Sequence, residues 1–179
     1  VNPSSAKLQR LPTGSTTYYK YTAEDGTVIN FSPSGVAGCG HSFTQFPSFC
    51  AYATDVTLPS GVKYTFSYDN TGGSSARLRS VVSNTGFAIL FEYTTGSGGR
   101  PLVSKACVLN KAFATMPATP TCPVGIPAAT YQYTGDFVSS VTDVKGNIWS
   151  FQTTYTNATT PYTQSYFRPG ESVPFLVNN

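Results

Sequence analysis

Charge is what this sequence lacks most. Asp, Glu, Lys and Arg make up 11% of its 179 residues, against roughly 25% in an average soluble domain. Ser, Thr, Tyr, Asn and Gly fill the gap, so hydroxyls and amides must hydrate the surface. The eleven Lys and Arg residues form no dense run, and the net charge is only +3. Nucleic-acid binding needs a basic face, so no nucleic-acid partner is expected. Histidine is nearly absent too: His41 stands alone, and no C-x-x-C spacing occurs. A zinc site draws its ligands from such clusters, so no metal, and no other cofactor, is expected. No apolar run approaches the roughly 20 residues of a membrane helix, so no membrane span is expected. No ten-residue stretch carries a helical stripe. A leader sequence and an initial Met are also missing, and a chain starting at Val1 reads as a mature or excised piece of something longer.

Aromatic and turn residues are plentiful instead. Twelve Tyr and twelve Phe, with many Val and Thr, favour strands, because branched and aromatic side chains fit a pleated surface. Thirteen Pro and sixteen Gly break the chain often. The expected fold is all-β, a single domain over residues 1–179.

A repeat runs through it. Four segments align without gaps on a glycine: YTAEDGTVINF from Tyr21, VTLPSGVKYTF from Val56, VVSNTGFAILF from Val81 and VTDVKGNIWSF from Val141. Each has a β-former five residues before the glycine and a Phe five residues after it. The glycines are Gly26, Gly61, Gly86 and Gly146; the aromatics are Phe31, Phe66, Phe91 and Phe151. Asp25-Gly26, Ser60-Gly61, Thr85-Gly86 and Lys145-Gly146 are turn dipeptides, and glycine supplies the positive φ of a tight hairpin. Residues two apart on a strand share a face. Tyr64 thus aligns with Phe66 and Tyr68, Ile89 with Phe91, and Trp149 with Phe151. Each hairpin carries an apolar stripe, with Trp149 and the four Phe residues as its expected core. One hairpin cannot bury such a stripe alone, and stacked hairpins can. Units fall near 18–31, 54–70, 77–93 and 131–155, with insertions at 32–53 and 94–130 and a tail at 156–179.

The insertions hold the cysteines: Cys39 and Cys50 in the first, Cys107 and Cys122 in the second. Four cysteines allow three pairings, and the spacing does not choose among them. Pairing within each Gly/Pro-rich insertion is the expectation. Disulfides imply an oxidising compartment, here the cell surface or the medium.

The segments FSYDN (Phe66–Asn70), RLRSVVSNTGFAILFEY (Arg77–Tyr93) and FVSSVTDVKGNIWSF (Phe137–Phe151) resemble the RHS or YD repeat. Its pattern runs roughly G-x-x-x-x-F-x-Y-D followed by L-x-S-V-x-D-x-x-G, and the last segment matches best, with Ser140, Val141, Asp143 and Gly146 in place. The resemblance implies an antiparallel β-hairpin ribbon or sheet from a bacterial RHS-repeat protein. In that family long ribbons wrap into shells around a C-terminal toxin, and related surface proteins serve adhesion. The self-cleaving region of such proteins has no counterpart here. Partners implied are the rest of a larger polypeptide or copies of the same chain.

Chemistry-bearing residues are sparse. Asp25, Asp69 and Asp143 lie at or near turns, where Asp bonds local backbone rather than forming the paired carboxylates of a glycosidase. His41 beside Cys39 is a surface histidine in a disulfide loop before it is a nucleophile pair. No phosphate-loop pattern occurs. Asn30-Phe31-Ser32 and Asn157-Ala158-Thr159 are glycosylation sequons. No catalytic residue is expected. The leading reading is a non-enzymatic wall or scaffold; the alternatives are a carbohydrate-binding or adhesion module using Tyr131, Tyr133 and Tyr155, and a subunit that polymerises through exposed strand edges.

Overall fold

The computed structural model describes residues 5–13, 16–32, 51–69, 77–119, 121–154 and 163–178. Among these the chain is all-β: thirteen strands, one 3-10 turn at Ser97–Gly99, and no α-helix. Within each unit, hydrogen-bonded neighbours follow chain order. Contacts divide the chain into two units, Val1–Ile89 with Leu109–Met116, and Leu90–Val108 with Pro117–Asn179.

The first unit holds β1 (Lys7–Thr13), β2 (Thr16–Thr22), β3 (Val28–Phe31), β4 (Ala53–Thr57), β5 (Lys63–Asp69) and β6 (Arg77–Ser83), each antiparallel to the next. In β5 the pleat is visible residue by residue: Tyr64, Phe66 and Tyr68 are half-buried, and Lys63, Thr65 and Ser67 are exposed. Tyr68 packs on Tyr52 with ring centroids 5.0 Å apart. Asp69 closes the strand between two guanidinium groups, Arg77 at 3.3 Å and Arg79 at 3.4 Å. The sequon residue Asn30 donates its side-chain amide to Asp55 at 2.8 Å. Asn157, like Cys39, His41, Cys50 and Tyr155, lies outside the described residues.

β7 (Phe87–Thr95) and β8 (Pro101–Asn110) contribute residues to both units. The second unit continues with β9 (Ala128–Thr134), β10 (Phe137–Thr142), β11 (Ile148–Thr154), β12 (Thr163–Phe167) and β13 (Leu176–Asn178), again antiparallel in succession. Cys107 in β8 is joined to Cys122 by a disulfide, with Cα atoms 5.9 Å apart.

All four repeat glycines have positive φ, from +82° at Gly61 to +95° at Gly86. Their turns are one residue longer than a tight dipeptide hairpin. Gly26 N–H donates to Ala23 O and Ala23 N–H to Thr27 O; Leu58, Gly61 and Val62 repeat the pattern, as do Asp143, Gly146 and Asn147. This is a three-residue loop whose glycine forms a G1 bulge, a connection that keeps the right-handed strand twist.

A second irregularity recurs. The ladder skips Thr54 between β3 and β4, Arg79 between β5 and β6, and Ser139 between β9 and β10. Each lies seven residues before a repeat glycine: Gly61, Gly86 and Gly146 respectively. The pairing of β1 with β2, ahead of Gly26, runs without a shift.

Few described side chains are fully buried: Ala88, Leu90, Cys107, Leu109 and Cys122, with Ser80 and Ser83. This corrects the expected core stripe in two hairpins. In β7 it is Ala88 and Leu90 that are enclosed, while Ile89, on the opposite face, remains 39% exposed. Trp149 is 36% exposed and meets Phe175 edge-on at 6.4 Å. Alternation places these residues on a common face, but what lies over that face decides burial. Phe31, Phe66, Phe91 and Phe151 are half-buried.

Candidate functional site

In the second unit, β8 and β9 form a wedge. They are ten and seven residues long, yet their ladder has three pairs: Lys105 with Thr130, Ala106 with Ala129 and Cys107 with Ala128. Past Lys105 and Thr130 the strands part. A groove of about 590 Å³ occupies the opening, lined from β8 by Leu102, Ser104 and Lys105 and from β9 by Thr130 to Tyr133. Glu92, Thr94, Thr95 and Gly96 line it from β7 and the turn that follows.

Several side chains fix its walls. Tyr131 and Tyr133 stand two apart on β9 and share a face. The Tyr133 hydroxyl donates to Val103 O at 2.7 Å, so a side chain crosses the gap where a ladder bond would run in closed strands. Burial, with Tyr131 nearby, raises the pKa of the Tyr133 phenol, and it remains a neutral donor. Glu92 Oε1 accepts the Cys122 N–H at 2.6 Å, which ties the wall to the disulfide loop. Gly96 packs where a larger residue would not fit: a Cβ there would lie 2.5 Å from Leu102 Cδ1 and 2.7 Å from Asp136 Oδ1. Asp136 in turn accepts the Ser97 N–H at 2.7 Å and pairs with Arg100 at 3.7 Å. The glycine-rich stretch after β7 is thus a turn held by a carboxylate.

The groove offers hydroxyls, an amide, one carboxylate already engaged and one ammonium. No group of three or more His, Cys, Asp or Glu suited to a metal occurs among the described residues. A smaller cavity of about 180 Å³, lined by Phe137, Val138, Phe151 and Thr153 among others, adjoins the bulge at Ser139.

The structure brings Tyr131 and Tyr133 together at the groove. It places Trp149 elsewhere, with Phe175 and near Asp143. Glu92, Thr94, Ser104 and Lys105 carried no signal in the sequence, because a wedge between strands leaves no local pattern. Asp25 and Asp143 bond the backbone of their own turns. Asp25 accepts the Thr27 N–H at 2.8 Å; Asp143 accepts those of Lys145 and Asn147 at 2.8 and 2.9 Å.

The fold defines an antiparallel β-hairpin protein with a polar groove on its second unit. Comparison with known proteins finds no family model, curated protein or solved structure that matches the chain.

Proposed function

We infer that this chain is a non-enzymatic structural segment of a secreted or cell-surface bacterial protein of the RHS type, a stretch of β-sheet wall. The observation that carries the reading is the hairpin succession itself. Glycine-bulge turns and ladder bulges recur at a fixed offset, and strand follows strand in chain order. Such a succession extends by adding hairpins, as repeat proteins do. An edge strand presents backbone N–H and C=O groups with which further sheet can pair, and β1 and β13 are each described with a ladder on one side, to β2 and to β12 respectively. The disulfide at Cys107 and Cys122 is compatible with an oxidising, extracellular setting. No helix among the described residues is long and apolar enough to cross a membrane.

Fractionation of the producing cells tests the reading. An antibody against this chain should detect it in the surface or secreted fraction, within a polypeptide or assembly larger than the 179-residue monomer. A free monomer confined to the cytoplasm, with Cys107 and Cys122 reduced, would refute it.

A further inference from the structure

We propose that the wedge between β8 and β9 is an oligosaccharide-binding groove, with Tyr131 as its stacking platform. A wall segment can carry such a groove or lack it, so this proposal and the wall reading fail separately.

The chemistry of the lining selects the ligand class. A volume of about 590 Å³ falls in the range of small-molecule sites, roughly 300–1,000 Å³. Sites for apolar ligands are walled by hydrophobic side chains; this one is dominated by Thr94, Ser104, Thr130 and Gln132, which donate and accept hydrogen bonds. A phosphate ligand would need clustered cations, and Lys105 is the only basic residue in the lining. A peptide added as a β-strand would need an open run of backbone groups, and the Tyr133 hydroxyl already occupies Val103 O. A short saccharide meets what is left. Its hydroxyls match the polar rim, and the C–H face of a pyranose packs on an aromatic ring, whose face is electron-rich.

The walls are also pre-formed. Tyr133 is held by its hydroxyl, Glu92 by the Cys122 amide, and the turn after β7 by Asp136. Polar groups fixed in advance lose less freedom on binding, the general route by which modest contacts reach useful affinity. Tyr131 lines the groove and is half-buried, so part of its ring is available to a ligand, whereas the hydroxyl of Tyr133 is already engaged.

Saturation-transfer NMR on the disulfide-intact chain, with cellotetraose, chitotetraose and tetragalacturonate as probes, tests the proposal. Saturation should reach the ring protons of at least one. Tyr131→Ala should weaken that binding by about tenfold or more, and Tyr131→Phe should retain it. Thr94→Trp, at an exposed position on the rim, should block the groove without touching the fold. It decides the matter if Tyr131→Ala does not fold. Selective loss of tetragalacturonate in Lys105→Ala assigns acidic sugars; binding of the neutral probes, unchanged in that variant, assigns neutral ones. No transfer to any of the three probes, or binding untouched by both Tyr131→Ala and Thr94→Trp, would overturn the proposal.

Discussion

Arg79 and Ser139 occupy the same place in two different hairpins: each is the extra residue of a β-bulge, seven positions before a turn glycine. Thr54 does the same before Gly61. A bulge adds local twist and bends its strand. The repeat is therefore one of backbone geometry, with an αL glycine at the tip and a kink at a fixed distance down the arm.

Deleting Ser139 should be far more damaging than replacing it. A one-residue deletion removes the bulge, and with it the bend and added twist that it gives the strand. We expect Ser139→Ala to change stability by less than about 0.5 kcal/mol, and the deletion to cost about 3 kcal/mol or more. Urea denaturation of both variants checks this; equal midpoints would mean the bulge is incidental.

Gly146 and Gly96 should resist alanine for opposite reasons. At Gly146 φ is +86° and no atom lies within 4 Å of a built Cβ, so backbone strain alone acts. That costs about 1–2 kcal/mol. At Gly96 φ is outside the left-handed range, and the Cβ would collide with Leu102 and Asp136. Overpacking of this kind costs about 1–3 kcal/mol. The two are separable: Leu102→Ala should relieve Gly96→Ala in a double-mutant cycle, and nothing in the side-chain packing should relieve Gly146→Ala. Additive effects of Gly96→Ala and Leu102→Ala would contradict the collision.

The Cys107–Cys122 disulfide closes a loop with a sequence separation of 15 residues. Chain entropy predicts a stabilisation of about 3 kcal/mol for a loop of that size. Replacing both cysteines by Ala should lower the denaturation midpoint accordingly. It should also loosen Glu92, whose partner is the Cys122 amide, and expose that amide to faster hydrogen exchange. An unchanged exchange rate at Cys122 would show that the loop holds its place without the bond.

Asp143 should tie stability to acid pH. Its pKa is lowered by the Asn147 side chain; desolvation opposes this, and the backbone amides of Asn147 and Lys145 reinforce it, with Trp149 contributing. A carboxyl whose folded pKa is depressed stabilises the protein above its unfolded pKa, and that stabilisation disappears as pH falls through the folded value. The gap in denaturation midpoint between the native chain and Asp143→Ala should be full at neutral pH and should close below the ordinary carboxyl value of 3.8. NMR titration of the Asp143 carboxyl at or above 3.8 would contradict it.

Much of this architecture was legible in residue order. Glycine five places from a β-former and a Phe marks a turn wherever it occurs, because positive φ and side-chain alternation are local properties. The bulges were not legible: Thr54, Arg79 and Ser139 share no side-chain chemistry, and a bulge is a relation between two strands. Burial failed for the same reason. Ile89 and Trp149 look like core by pattern, and only the packing around them shows Ala88 and Leu90 enclosed instead. The groove depends on where β8 and β9 cease to pair, which no motif encodes. Gly96 reads as one more flexible glycine until Leu102 is placed beside it.

Within each of the two units, the ladders described join a strand to the one immediately before or after it in the chain. Apart from the β3–β4 and β8–β9 connections, the contacts that build the ladders are thus short in sequence, and short loops close quickly and at little entropic cost. A chain emerging from a ribosome or an export channel, amino terminus first, would find the edge it needs already made. Its growth resembles knitting, where each new row hangs on the last, and each strand waits only for the one that follows it.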